Sequence, residues 1–169
     1  MAKTYDNYPY SFVFGTTVLT LIIYAIGIYL IYVVEPIWAA LYIIYIIALE
    51  IRLLKMGCVH CYYYGKRCAF GQGKLCALFF KKRDPKKFIN KQIKMTDLIP
   101  DFFVTIVPLI AGIYLLINNF SWIILGLIIV LVILGFPVTG YIRGSVSCKY
   151  CKQREIGCPA EQMFQKKKK

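Results

Sequence analysis

Negative charge is scarce in this chain. Its 169 residues hold 8 Asp+Glu against 21 Lys+Arg, a net charge of +13, and charged residues make up only 17% of the total. A soluble domain carries roughly 25% charge, so this deficit excludes an ordinary soluble globule. Disorder is excluded too, because it needs low hydrophobicity and 59% of these residues are hydrophobic. Histidine is scarcer still: His60 is the only one. That rules out a bis-histidine haem held within one chain and a histidine-lined transport path, and His60 itself reads as a solvated side chain. No Walker loop, nucleophile elbow or paired-carboxylate hydrolase signature is present. Residues 1–10 lack the basic and apolar regions of a signal peptide, so the first apolar run is expected to stay in the mature protein.

What is abundant is apolar length. The mean hydropathy is +0.61, and four runs reach the ~20 residues that cross a hydrocarbon core: 11–34, 36–54, 98–117 and 121–142. Pro108 and the Gly135-Phe136-Pro137 sequence fall inside the third and fourth runs, where kinks are expected. Tyr8, Tyr10, Trp38, Trp122 and Tyr141 read as interfacial belt residues.

The basic residues fall on one side. Lys3 is in the N-terminal segment, twelve lie from Arg52 to Lys94, and eight from Arg143 to Lys169. The short connections near Glu35-Pro36 and Asn118-Asn119 have none. Under the positive-inside rule both termini and the middle segment are cytoplasmic, in a multi-pass protein of the cell membrane. The fold class is all-α: four transmembrane helices as two tandem hairpins, with cytoplasmic cysteine-rich segments.

The two halves repeat. GIYLI from Gly27 is echoed by GIYLL from Gly112, each followed by a turn and a Trp, and each half ends in Cys-x2-Cys-x6-Cys. This divides the chain into a first repeat (1–76), a basic amphipathic interfacial linker (77–97) and a second repeat (98–169), related by a pseudo-two-fold axis along the membrane normal. Phe79, Phe80 and Phe88 of the basic stretch 75–94 are expected to dip into the membrane, with the lysines there and at 166–169 on anionic headgroups.

All seven cysteines lie outside the apolar runs: Cys58, Cys61, Cys68 and Cys76 in the middle segment, Cys148, Cys151 and Cys158 in the last. In a reducing compartment such spacing favours metal over disulfides, since a Cys-x-x-Cys turn offers two thiolates to one tetrahedral ion. The first four complete a closed four-thiolate site, with Gly65, Gly71 and Gly73 easing the loop. The last three leave a position for Glu161, water or a cysteine borrowed from the first segment. The doubled spacing resembles the fungal binuclear zinc-cluster motif, in spacing only, because two membrane spans separate the halves here. Zinc is the expected cofactor. An iron–sulfur cluster is the alternative, and Cys158-Pro159 resembles the Cys-Pro that ends many ferredoxin-type motifs. Lys66, Arg67, Lys74, Lys149, Lys152 and Arg154 would offset the negative charge of either centre.

Glu50 and Asp101, near the cytoplasmic ends of their runs, read as interfacial salt-bridge partners, Glu50 to Arg52 or Lys55. Three functions compete. The first is a zinc-binding membrane protein serving as a docking platform or accessory subunit, with a cytoplasmic protein or a larger membrane complex as partner. The second is an iron–sulfur electron carrier using a quinone-like lipid. The third is a zinc-dependent lipid-modifying enzyme with its open site at the last three cysteines. No recognition element for nucleic acid is visible.

Overall fold

With no charge and no water to satisfy it, an apolar backbone in a bilayer must pair with itself. Residues 10–34 do so as one helix, α1 (Tyr10–Val34). The residue before a proline is pushed out of the helical region, and proline suits a first helical turn. Glu35 is accordingly extended (φ −163°, ψ 127°), and α2 (Pro36–Met56) starts at Pro36, so a single residue makes the turn of the first hairpin. After α2 come a short 3-10 turn (Cys58–His60) and α3 (Gln72–Phe79). Helix α4 (Met95–Asn118) and α5 (Trp122–Ile133) form the second hairpin, and α6 (Gln153–Ile156) is one short turn. The computed structural model describes residues 4–85, 89 and 95–158. Phe88, Pro159, Glu161 and the 166–169 lysines lie outside the described residues, as does most of the 86–94 stretch.

Among the described residues, four helical segments are long and apolar enough to cross a membrane: Tyr10–Val34, Pro36–His60, Ile99–Asn118 and Trp122–Ser147. The chain is an all-helical, multi-pass membrane protein. The fourth segment runs past the expected end at 142. Pro137 offers no N–H, and the helix widens to π geometry over Leu134–Val138 before an α turn and a second π segment, Ile142–Ser147. The Thr139 hydroxyl donates to the Leu134 carbonyl at 2.7 Å. Arg143 does not end the helix, because its guanidinium lies over the Phe70 ring, 5.3 Å from the centroid.

Helix α1 is central, packing on α2, α4 and α5. One apolar core joins Ile23 and Leu30 to Ile128 and Leu131, and another joins Ile31 to Ala39, Tyr42 and Ile46. The repeated glycines make comparable close approaches. A methyl on Gly27 would come within 2.8 Å of the Tyr42 hydroxyl and 3.0 Å of Pro108; one on Gly112 would come within 2.8 Å of Ile128 and 3.5 Å of Leu30. Each glycine therefore abuts both its hairpin partner and the opposite hairpin.

Tyr42 also repairs a defect. Pro108 cannot donate to the carbonyl four residues back, Val104, and a carbonyl left bare in a membrane is costly. The Tyr42 hydroxyl donates to that carbonyl at 2.6 Å, and Tyr45 donates to the Pro100 carbonyl at 2.8 Å. Tyr42→Phe should therefore destabilise the protein by about 1–2 kcal/mol, lowering its melting temperature in detergent by several degrees. Tyr29→Phe, at an exposed position of α1, should leave it unchanged. Equal melting of the Tyr42 variant and the parent would contradict this role.

Candidate functional site

Each Cys-x-x-Cys follows the second long helix of a hairpin and adopts the same local geometry. Cys61 N–H donates to the Cys58 carbonyl (3.2 Å) and Tyr64 N–H to the Cys61 carbonyl (3.1 Å); Cys151 N–H donates to Cys148 (3.4 Å) and Arg154 N–H to Cys151 (3.1 Å). The two turns then exchange hydrogen bonds. Tyr62 N–H donates to Gln153 Oε1 at 2.7 Å, and Lys152 N–H donates to the Tyr63 hydroxyl oxygen at 3.0 Å. In each bond the residue after the second cysteine donates to the side chain of the second residue after the opposing one. Tyr63 is 2% exposed and Gln153 3%, so these bonds are shielded from water.

A third strand of chain fills the seam. Tyr5 N–H donates to the Tyr150 carbonyl at 3.0 Å and Tyr8 N–H to the Arg67 carbonyl at 3.0 Å. The Tyr63 hydroxyl donates to the Tyr5 carbonyl, and the Tyr8 hydroxyl to the Ser147 carbonyl at 2.6 Å. Rings of Tyr5, Tyr63 and Phe12 pack on Tyr8 with centroids 5.5–5.6 Å apart. Tyr8 is thus buried in this cap and is not the belt residue its position suggests; its ring is covered by chain that only folding brings back. Burial raises the Tyr8 and Tyr63 hydroxyl pKa values well above the ordinary range, keeping both as neutral donors. At the rim the hydrogen-bonded Lys152 ammonium holds the Asp6 carboxyl below its usual range.

The cap is tied down to the helices. The Thr16 hydroxyl of α1 donates to the Ala69 carbonyl at 2.6 Å. Gly73, at the start of α3, presses on the carbonyls of Tyr63 and Lys66 so closely that a methyl group would collide with both. Glu50 does not pair with Arg52 or Lys55 as its spacing suggests. Its carboxylate accepts from the Tyr24 hydroxyl (2.6 Å) and from Gln72 Nε2 (2.7 Å), while Arg52 faces Asp97 at 3.8 Å. Docking of α3 against the helix ends puts Gln72 within reach, which sequence spacing could not reveal. His60 Nδ1 lies 2.8 Å from the Asp84 carbonyl.

None of the seven cysteines is in a disulfide, and all lie within this cap or at its edge. Cys61, Cys68 and Cys151, from the two segments, pack on the same buried group of Tyr8, Tyr63 and Ala69. Cys76 is fully buried beside Leu54 and Val59. Among the described residues, no three His, Cys, Asp or Glu side chains converge closely enough to hold a metal ion. The donor chemistry suits a soft dication, but the closed set of Cys58, Cys61, Cys68 and Cys76 is not assembled. Cys76 instead donates its S–H to the Leu54 carbonyl (3.7 Å) and Cys58 donates to Gln72 Oε1 (3.8 Å). Cys68 accepts the Gly73 N–H at 3.2 Å.

Comparison with family models, with curated proteins and with solved structures finds no match. Residues missed from the sequence are Tyr5, Tyr63 and Gln153. A signal existed: Tyr63 and Gln153 occupy equivalent positions after the two Cys-x-x-Cys pairs, hidden by their different chemistry.

Burial, above all, pushes the Cys61 thiol up to about 11 and the Cys151 thiol up to about 12, against neighbouring N–H bonds that act the other way. The thiolate is the nucleophile, so a raised pKa slows alkylation at neutral pH. With chelator present, maleimide should modify exposed Cys148 first. From an ordinary value near 9.0, the thiolate fraction of Cys61 at pH 8 falls by roughly a hundredfold. Peptide mapping should show its labelling still rising beyond pH 10. A plateau near pH 9 would contradict the shift.

Proposed function

We propose that this chain is a multi-pass protein of the cell membrane whose cytoplasmic cap binds zinc and acts as a docking platform or accessory subunit. The observation that carries the reading is the interlocking of three separate segments, residues 4–9, 57–71 and 147–157, into one body at one end of the bundle. Mere anchoring would not require buried cross-segment bonds between these pieces. Cations decorate the same body: Lys66 and Lys152 lie over the Tyr62 ring, Arg67 over Tyr10 and Lys149 over Tyr150. Such a stiff, basic, aromatic face suits an acidic surface on a cytoplasmic protein or neighbouring subunit, with anionic headgroups at its margin.

The cytoplasmic assignment of the cap and both termini rests on the one-sided basic residues. The tandem repeat is part of the reading: the equivalent turns, the exchanged bonds and the matched environments of Gly27 and Gly112 support an origin by duplication, since in a two-fold pairing residue i meets j and j meets i. Zinc rests on the cysteine number, spacing and soft donor chemistry. In this role it would be structural, binding segments together rather than reacting.

On intact cells a membrane-impermeant maleimide should leave exposed Cys148 unlabelled until the membrane is opened; labelling from outside would reverse the orientation. Purified anaerobically, the protein should be colourless and contain zinc. A brown protein absorbing broadly at roughly 400 nm would replace the platform with an electron carrier.

A further inference from the structure

Helices α2 and α4 do not close fully on each other. Two tyrosines of α2 stand between them, with hydroxyls that reach the α4 carbonyls of Val104 at 2.6 Å (Tyr42) and Pro100 at 2.8 Å (Tyr45). With these spacers in place, the two helices flank a groove of about 600 Å³, floored by Ile31 and Val34 of α1. Toward α5, by contrast, α1 packs directly: Ile23 and Leu30 meet Ile128 and Leu131. The opening thus belongs to one seam, and the tyrosine spacers account for it.

Its dimensions match one hydrocarbon chain. Along α4 the groove runs from Phe103 to Tyr114, eleven residues or ~16 Å of helix. A leaflet is about half of the ~30 Å hydrocarbon core. Trp38 and Tyr114 lie near the helix ends away from the cap, so the groove occupies the leaflet on that side. A helix of the same length, ~10 Å across, would displace roughly 1,250 Å³. That is twice the groove, so a partner helix could lie only across its mouth. Below the rim the lining is dry. The Tyr42 and Tyr45 hydroxyls are spent on carbonyls, and the other deep walls are aliphatic or aromatic. A sugar, an ion or a bare peptide backbone would find no partner there. Left empty, the groove would forfeit dispersion contacts along three helices, and a flexible chain restores them.

The rim selects the headgroup. Trp38 and Tyr114 are 60% and 57% exposed, and they offer an indole N–H and a phenol O–H at the level of lipid esters. Glu35, exposed in the turn between the lining residues Val34 and Trp38, is the only charged residue in the two connections at that end. A headgroup of net negative charge would meet a carboxylate and no cation there, whereas an ammonium group would be attracted. We propose that the groove binds one hydrocarbon chain of a zwitterionic, ammonium-bearing phospholipid from the leaflet away from the cap. This goes beyond the platform reading and is independent of zinc. A lipid so placed fills the seam between the two hairpins where protein does not.

The chain has two tryptophans, Trp38 and Trp122, so Trp122→Phe leaves Trp38 as the sole indole, at the rim of the groove. The full-length variant in detergent is titrated with phosphatidylethanolamine brominated on its acyl chains, and separately with phosphatidylglycerol brominated alike. Quenching of Trp38 should saturate at one phosphatidylethanolamine per chain. It should favour that lipid over phosphatidylglycerol by roughly two- to fivefold, the size of one exposed ion pair. Adding Ala111→Phe, which puts a ring into the groove, should abolish saturation and leave quenching proportional to the lipid present. Because that variant could fail to fold, Glu35→Gln at an exposed position supplies a second readout: saturation should persist and the preference vanish. Equal quenching by the two lipids in the parent, or saturation unchanged by Ala111→Phe, would overturn the site. So would a Trp38 shielded from both lipids, the result expected if a second copy of the chain covers the groove.

Discussion

The two hydrogen bonds exchanged between Tyr62-Tyr63 and Lys152-Gln153 join the two halves of the chain at one end of the bundle. Each hairpin can satisfy its backbone alone, by helix formation, and a hairpin's apolar faces are as well solvated by lipid as by protein. Contacts between hairpins inside the bilayer therefore have little hydrophobic drive. At the cap the situation differs: water is present, so burying Tyr8, Tyr63 and Ala69 against the cysteine segments is favourable, and buried donors must be matched. The cap thus closes the bundle at one end, and the N-terminal segment is held because Tyr5 and Tyr8 complete that match.

Within the bilayer zone the same accounting recurs at smaller scale. Three prolines, Pro100, Pro108 and Pro137, lie inside the spanning helices, and the vacancy at Pro108 is filled. Tyr42 reaches across from α2 to the Val104 carbonyl, and the π segment around Pro137 with the Thr139 hydroxyl serves the fourth span. Gly27, where a methyl would come within 2.8 Å of the Tyr42 hydroxyl, leaves room for the Tyr42 bond.

The four spans were legible because length and the absence of charge are enough to specify a membrane helix. Their ends shifted by up to six residues, the second running to His60 and the fourth five further to Ser147, where Arg143 reads as a terminus until Phe70 is seen beneath it. The cap was legible in its cysteines and hidden in everything else. An aromatic residue near a membrane end has two uses, belt or seam, and Tyr8 takes the second through Ser147, a partner 139 positions away. Glu50 was hidden for the same reason: its partners, Tyr24 and Gln72, are set by docking of helices and not by spacing along one of them. Cysteine spacing likewise shows which residues could share an ion but not which way each sulfur faces, and it is that direction which separates Cys76 from Cys68.

The pairing of the two cysteine turns is tested most directly by a double-mutant cycle on Tyr63→Phe and Gln153→Ala, read by reversible unfolding of the full chain in detergent. Residues more than about 7–10 Å apart contribute additively, and residues in one network do not. If the turns dock as described, the cost of the double variant should differ from the sum of the single costs by about 0.5–3 kcal/mol. Strict additivity, within a few tenths of a kcal/mol, would mean that the two segments fold independently and that the cap is not a single body.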